Sequence, residues 1–210
     1  MFIELVDALR CPVPHEESWL VASTTRMEAR HIVEGTLGCP VCRAEYPVHR
    51  GAVDFRREPT RPRPHATEGR DATQAMRLAA FLALSDALGF AVLLDAWGVQ
   101  AQPLRELVET PLIVVDPPAD VIGEPGVSVL LTDGPLPLAV SSARGVAVHR
   151  DSAARLAEAV RVTRTGGRLV SPAGLTVPAG VRELARDESL WVAEKEAERS
   201  PLVTLHVRRG

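Results

Sequence analysis

Short runs of consecutive apolar residues alternate with amphipathic stretches through the second half of the chain. The runs lie at residues 90–95, 112–116, 127–132, 145–150 and 168–171. Unbroken apolar runs of this length are typical of strands buried on both faces. Between them, residues 103–109 and 152–165 have apolar positions at helical spacing, the first begun by Pro103 and the second ended by Gly166 and Gly167. This alternation predicts a mostly parallel sheet covered by helices.

Further elements flank this alternation on both sides. Asp71 is a predicted N-cap, with a Gln three positions later, for an apolar helix over residues 75–84. After the last buried run, the pattern predicts a brief helix over residues 181–187. Residues 190–194 and 202–207 are then predicted to form an antiparallel pair of strands.

One connection is short for a parallel sheet. Residues 117–126 join the second and third runs and contain two adjacent prolines and two glycines. A parallel crossover normally needs a dozen or more residues, usually helical. We therefore expect no covering helix at this connection.

The first quarter of the chain has a different pattern, with short segments broken by turns. Residues 2–10 have helical apolar spacing, whereas residues 19–23, 31–37 and 46–55 alternate as strands do. The pattern predicts a small module over residues 1–56.

A polar segment rich in arginine and proline separates this module from the rest. It contains Arg56, Arg57, Arg61, Arg63 and Arg70 together with three prolines. Such composition predicts an extended linker, placed at residues 57–70, before an α/β domain over residues 71–210. An arm that contacts RNA phosphates is the alternative to a solvated linker, which we favour.

Composition limits the classes of function. Hydrophobic residues make up 46% and charged residues 24%, so the chain can bury a core, while 4% aromatics leave that core to Leu, Val and Ala. The net charge of −3 gives no general attraction to nucleic acid. No apolar run approaches the roughly 20 residues that span a bilayer, and no secretion signal is evident. We expect a cytoplasmic protein without membrane contact, in which three cysteines favour metal binding or burial over disulfides.

The cysteines are spaced as metal ligands. Cys39 and Cys42 form a Cys-x-x-Cys pair, half of a zinc site, and Cys11 is a third candidate ligand. Pro14 stands where a paired turn would have a second cysteine, and His15 beside it is the candidate fourth ligand. A module that has lost its metal and packs its cysteines as small apolar residues is the alternative. Such a site predicts a zinc-ribbon-like module whose stability depends on metal, and it does not predict catalysis.

The cysteine-containing segment resembles a known family. Residues 9–12, 34–42 and 45–51, with Cys11-Pro12, Cys39-Pro40-Val41-Cys42 and a Tyr-Pro-Val-x-x-Gly tail, resemble the small zinc-binding activator of methyltransferases and its short bacterial relatives. Pro14 departs from that pattern by removing one of the family's ligands. The resemblance implies that the module binds and stabilises methyltransferase domains acting on RNA or protein.

Residues 90–173 resemble a class I S-adenosylmethionine-dependent methyltransferase. The resemblance rests on residues 132–138 after the third run and on the helix-Gly-Gly-strand passage at residues 161–170. It implies a Rossmann-like sheet with an antiparallel C-terminal strand. It also implies that S-adenosylmethionine would be bound by Asp95, Gly98, Asp116 and Asp133, with Asp116 bonding the ribose hydroxyls. A solvent-exposed carboxylate is the alternative for Asp116.

The chain departs from that family where the cofactor should bind. Residues 96–102 contain one glycine instead of a glycine-rich turn, and Trp97 would fill the space of the ligand. After the fourth run, His149 is the one candidate base. We therefore favour a non-catalytic pseudo-methyltransferase that binds or activates a protein partner, such as a methyltransferase or a ribonucleoprotein. The alternatives are an active methyltransferase acting on RNA, protein or a small molecule, and a small-molecule binder on the same sheet.

Overall fold

The computed structural model describes residues 1–58, 62–67 and 69–197, and for residues 150–152 the backbone alone. Its strands form one sheet of eleven members, in the order β1-β2-β3-β4-β7-β6-β5-β8-β9-β11-β10. The strands are β1 Val21–Glu28, β2 His31–Gly38, β3 Glu45–His49, β4 Ala52–Asp54, β5 Ala91–Leu94, β6 Leu112–Val115, β7 Val127–Leu131, β8 Ala143–Ala147, β9 Thr163–Pro172, β10 Val181–Arg186 and β11 Leu190–Lys195. The α-helices are α1 Ala72–Phe81, α2 Ala101–Arg105 and α3 Leu156–Val162.

The centre of the sheet is parallel and Rossmann-like. Strands β4, β7, β6, β5, β8 and β9 all pair in parallel. From β7 to β9 they follow the order 3-2-1-4-5 of the doubly wound fold. Every residue of β5, β6 and β7 is buried, as their apolar runs predict. The antiparallel strand β11 lies between β9 and β10. The predicted α/β fold of the class I methyltransferase type is thus confirmed.

The small N-terminal strands belong to the same sheet. Strands β1 to β4 pair antiparallel in sequence, and β4 then pairs in parallel with β7, so that Ala52 is the register partner of Val129. A 3-10 helix, Ile3–Ala8, packs beside this junction, where the Arg10 amide donates to the Pro137 carbonyl. Main-chain hydrogen bonds therefore connect residues 1–56 to the α/β part. The assignment of separate domains stays a prediction.

Each face of the parallel sheet is covered by a different set of elements. On one face, Val92 and Leu94 pack in a cluster with Leu5 of the 3-10 helix and Val162 of α3. On the other face, α1, α2 and Trp97 cover the remaining strand residues. Residues 117–126, all of them described, contain no helix, as their length predicts.

Two helix predictions are wrong. Residues 181–186 form strand β10 instead of a helix, because they pair with β11 at the edge of the sheet. The helix predicted over residues 152–165 is shorter: a 3-10 turn, Arg150–Arg155, precedes α3, and β9 begins at Thr163. Gly166 and Gly167 therefore lie within β9, at a bulge opposite β8. The predicted strand over residues 202–207 lies outside the described residues.

No helix within the described part of the chain is long and apolar enough to cross a membrane.

Candidate functional site

Two neighbouring turns bring the four predicted metal ligands together. One turn runs from Cys11 to Ser18 and contains His15. It is closed where the Cys11 amide donates to the Ser18 carbonyl. The other is the Cys39–Cys42 turn, closed by a hydrogen bond from the Arg43 amide to the Cys39 carbonyl, with Arg43 in the left-handed region (φ 60°). The ligand atoms of Cys11, His15, Cys39 and Cys42 all lie within 4.8 Å of one another.

Two of the distances between these ligand atoms are close to those expected around a tetrahedral metal ion. The Sγ atoms of Cys11 and Cys42 are 3.7 Å apart, and Cys39 Sγ lies 3.4 Å from His15 Nε2. Ligands at about 2.3 Å (sulfur) and about 2.1 Å (nitrogen) from a tetrahedral zinc would be about 3.8 and about 3.6 Å apart, respectively. Two of the six distances between ligand atoms fit such a tetrahedron and none exceeds 4.8 Å, so the group could hold a metal ion.

Hydrogen bonds tune the thiols of the cluster differently. Burial acts to raise the pKa of the Cys39 thiol. Hydrogen bonds from the backbone N–H groups of Cys42 and Val41 outweigh this effect, and the pKa is lowered to about 6. Burial raises the pKa of the Cys11 thiol to about 11, although Tyr46, whose hydroxyl lies 3.2 Å from the sulfur, acts to lower it. Cys39 is thus prepared as a thiolate ligand, whereas Cys11 would give up its proton on binding a cation.

Three large apolar side chains are exposed near the cluster, beside the terminal strand of the described sheet. Trp19 is 57% exposed, Val21 62% and Val41 55%. These residues occupy the start of β1 and the Cys39–Cys42 turn. Strand β1 is the terminal strand of the sheet, and seven of its eight residues are exposed. We call this surface, made of Trp19, Val41 and β1, the β1 surface.

The predicted cofactor acid Asp116 is engaged by the protein itself. It follows β6 with a left-handed backbone (φ 49°), and its Oδ2 lies 2.5 Å from Arg155 Nη1. Its Oδ1 accepts from the Thr132 amide at 2.7 Å. Burial raises the pKa of Asp116, and the charge of Arg155 opposes that rise. Of the oxygens predicted to bond ribose hydroxyls, Oδ1 thus accepts a hydrogen bond from the protein and Oδ2 lies in an ion pair.

Trp97 closes the crevice at the topological switch point of the sheet. Strands β5 and β8 are neighbours there, and ligands of open α/β sheets bind outside the carboxyl ends of such strands. Trp97 follows β5, is 8% exposed, and its indole N–H donates to the Val148 carbonyl beyond β8 at 3.2 Å. Its ring also meets that of His149 edge-on, with centroids 5.9 Å apart. The side chain therefore lies across the carboxyl ends of these two strands.

The other predicted cofactor residues occupy different surroundings. Gly98 is buried, and a Cβ there would lie 2.5 Å from Val114 Cγ1, so its missing side chain serves packing against β6. Asp95 begins the 3-10 turn after β5, with φ 52°. Asp133 is exposed and accepts from the Arg57 amide at 3.2 Å.

A cavity of about 690 Å³ opens beside Trp97 and His149. It is lined also by Gln74 and Arg77 of α1 and by Ser189 before β11. His149 is 6% exposed. Arg77 forms an ion pair with Asp187, so its charge is balanced within the protein.

The arginines of the linker differ in their engagement. Arg56 forms an ion pair with Asp54, and Arg63 donates to main-chain carbonyls of residues 117–119. Arg57 and Arg70 are exposed, and Arg61 lies outside the described residues. Two of the five side chains thus hold the linker to the sheet, which a freely solvated linker would not predict. RNA binding by the linker stays a prediction.

Sequence reasoning missed the two contacts that most affect the cofactor edge. Arg155 reaches Asp116 across 39 positions, and Trp97 reaches Val148 across 51. Apart from the bulk of Trp97, no local pattern indicates either contact, because both depend on the order of the strands.

Comparison with known proteins yields distant structural likenesses. No protein-family model matches the chain, and no curated protein matches it. A methyltransferase from Geobacter sulfurreducens is 12% identical, with a TM-score of 0.41, over 62% of this chain and 81% of that one. The 16S rRNA methyltransferase RsmC from T. thermophilus, in complex with AdoMet and guanosine, is 20% identical, with a TM-score of 0.37, over 69% of this chain and 44% of that one.

A third likeness is to a chain of the Haloferax volcanii complex between the Trm112 methyltransferase activator and a protein assigned as a methyltransferase. It is 17% identical, with a TM-score of 0.33, over 47% of this chain and 55% of that one. The chain spans 30% to 55% of the length of the first structures found. Because the TM-scores of these likenesses are all below 0.5, the fold assignment rests on strand order and direction, and no activity follows from them.

Proposed function

We propose that this protein is a non-catalytic, methyltransferase-like protein that binds a protein partner through the β1 surface. Zinc at Cys11, His15, Cys39 and Cys42 would hold the two turns beneath that surface. The observation that carries the non-catalytic part is the hydrogen bond from the Trp97 indole to the Val148 carbonyl, which bridges the crevice where the cofactor of such a fold would lie.

The state of Asp116 supports the same conclusion. If a ribose displaced Arg155 from Asp116, the guanidinium would be left partly buried without its carboxylate, with the hydrogen bond from its Nη2 to the Thr132 carbonyl remaining. Each such uncompensated charge costs several kcal/mol, on the order of the whole binding energy of a weak ligand. The residues at this edge therefore do not fit S-adenosylmethionine, and we derive no methyl transfer from them.

Calorimetry with S-adenosylmethionine tests this part directly. We expect no saturable heat on titration of the purified protein up to millimolar cofactor. Micromolar binding that disappears in Asp116→Ala or Asp95→Ala would overturn it. Glu109→Ala, which changes an exposed acid before β6, at the opposite edge of the sheet, is a control that distinguishes loss of the site from loss of surface charge.

A matched variant tests the closing role of Trp97. Trp97→Ala removes the indole and leaves the strand ends in place. If the indole is what excludes ligands from the crevice, this variant gains weak binding of S-adenosylhomocysteine that the parent lacks. Equal behaviour of parent and variant would show that other residues close the site.

The β1 surface supports the partner-binding part. An open edge strand offers unpaired N–H and C=O groups to an extended segment of another protein, and exposed Trp residues are enriched at interfaces. Zinc would supply no chemistry to a substrate here. It would fix Val41 and Trp19 in place by joining the turn that contains Val41 to the turn that precedes Trp19.

Site-specific photo-cross-linking tests the partner. A photoreactive residue at Val21 is compared with one at Met76 of α1, which is as exposed at 62% but lies on the opposite part of the fold. We expect one protein to cross-link from position 21 and not from position 76, and its purified form to bind Trp19→Ala about tenfold more weakly. Cross-links from both positions, or to a second copy of this chain alone, would contradict the proposal.

An active methyltransferase remains the second candidate, favoured by one observation. The cavity beside His149 is large enough for a small acceptor molecule and holds a buried imidazole at the carboxyl ends of the strands. This candidate requires cofactor binding, so the calorimetric experiment decides between the two.

A further inference from the structure

A second cavity lies on a part of the sheet that no helix covers. Strands β4 and β7 present Ala52 and Asp54, and beside them Val129 and Leu131, to one face. Residues 117–126 cross this face as an irregular segment. The sheet therefore retains an apolar floor beside the crossing chain.

The cavity has a volume of about 440 Å³, a size common for small-molecule sites. Its floor is apolar, formed by Val129 and Leu131, and Ile122 of the crossing segment stands at its edge, 71% exposed. Arg50 and Arg63 also line it. Apolar surface and cationic side chains thus face one enclosed space.

Within the part of the chain that the structure describes, Arg63 forms its hydrogen bonds with main-chain carbonyls. Its Nη1 donates to the carbonyls of Pro117 and Pro118, at 3.2 and 3.4 Å, and its Nη2 to that of Ala119 at 3.5 Å. Among the described residues no carboxylate lies within ion-pair distance of this half-buried guanidinium. A guanidinium has five N–H donors, so these contacts leave two for another acceptor.

The acids nearest to Arg63 are committed elsewhere. Asp54 is bound by Arg56 through two hydrogen bonds, of 2.9 and 2.7 Å. Asp116 is paired with Arg155, and Asp120 accepts from the Ala66 amide at 2.9 Å. Among the described residues that line the cavity, the cations Arg50 and Arg63 therefore outnumber the one carboxylate, Asp54, which is itself paired with Arg56. A partly buried charge of this kind favours an anion from solution.

From these contacts we infer that the cavity binds a small organic monoanion, a carboxylate attached to an apolar body. The carboxylate would accept from the free donors of Arg63, and the apolar body would lie on Val129 and Leu131. This site is separate from the cofactor edge and goes beyond the proposed function. It would place a metabolite acid at the junction of β4 and β7, between the two parts of the sheet.

Octanoate and octylamine are suitable probes, since they share one apolar chain and differ in the sign of the charge. Binding is followed by calorimetry and by amide chemical shifts of the isotopically labelled full chain. We expect saturable binding of octanoate with shifts confined to residues of β4, β7 and 117–126, and at least tenfold weaker binding of octylamine.

Variants at two positions attribute the binding to the cavity. Arg63→Gln removes the charge, and we expect at least tenfold weaker octanoate binding, while Arg63→Lys should retain part of the affinity. Because Arg63 also holds residues 117–119, Ile122→Asp is the second variant. It places a carboxylate at the exposed edge of the cavity, should leave melting unchanged, and should weaken octanoate binding several-fold.

Arg57→Gln is the matched control, because Arg57 is an exposed arginine of the same linker that does not line the cavity. Its affinity for octanoate should equal that of the parent. Equal binding of octanoate and octylamine, shifts spread over the whole surface, or loss of affinity in Arg57→Gln equal to that in Arg63→Gln would each overturn the assignment.

Discussion

Replacing Arg155 by methionine should destabilise the protein, because the partly buried Asp116 carboxylate loses its ion-pair partner. Breaking a buried ion pair by removing one partner costs about 3–5 kcal/mol. Here the Asp116 and Arg155 side chains are 19% and 23% exposed, and the Thr132 amide would still donate to the carboxylate. We therefore expect Arg155→Met to lower the free energy of unfolding by about 2–3 kcal/mol at neutral pH, equivalent to a melting temperature lower by about 4–12 °C.

The effect should depend on pH in a defined direction. Burial raises the pKa of Asp116 above its unfolded value, and loss of Arg155 removes the main opposing charge. The folded variant then binds a proton more tightly than the unfolded chain, so its stability falls as pH rises through the folded pKa. The deficit of Arg155→Met is complete above that pKa and shrinks as pH falls toward the unfolded value of about 4.

Urea unfolding across this pH range measures the effect. The double variant Asp116→Asn/Arg155→Met is the reference, because it carries the same apolar replacement without a titrating group at position 116. A deficit below about 0.5 kcal/mol at neutral pH, typical of a surface pair, would refute the reasoning. So would a deficit that stays constant as the pH falls.

Three further predictions concern other parts of the chain. Metal analysis should find about one zinc per chain, and Cys39→Ser or chelation should remove it together with about 4 kcal/mol of stability at free zinc a thousandfold above its dissociation constant; unchanged melting after chelation would remove the zinc proposal. Gly98→Ala should cost about 1–3 kcal/mol in urea unfolding because its Cβ would overlap Val114, while Gly134→Ala, which adds a methyl where the nearest atom is 3.9 Å away, should cost far less; equal losses would contradict this packing. Asp71→Ala should cost about 1 kcal/mol by the same measurement, since its carboxylate caps α1 by accepting from two backbone amides, and a variant as stable as the parent would argue against the cap.

The buried strands were predictable because their signal is local. Runs such as residues 112–115 are apolar throughout, and few environments other than the centre of a covered sheet suit them. Strand β10 had no such signal. Val181 is buried and Leu184 half-buried, at a spacing typical of a helix, and the other four residues are exposed, so pairing with β11 decides its conformation.

The candidate sites differ in the same way. The spacing of Cys39 and Cys42 predicts a shared turn, and proximity to Cys11 and His15 follows from the antiparallel pair β1–β2 between them, in which Val21 is the register partner of Gly38. The pairing of Asp116 with Arg155 depends instead on where the segment after β8 crosses the sheet. The sequence indicates an acid at a strand end but not which cation reaches it.

The pairing of β4 with β7 also has a consequence for folding kinetics. Ala52 meets Val129 across about 80 residues of intervening chain, and contacts of such high sequence separation form late. During synthesis the hairpins of residues 21–54 emerge first and can close locally around a metal, but β4 has no neighbour on its far side until β7 appears. Early metal binding would keep these strands in register during that interval. It would thereby limit pairing of the β4 edge with a strand other than β7.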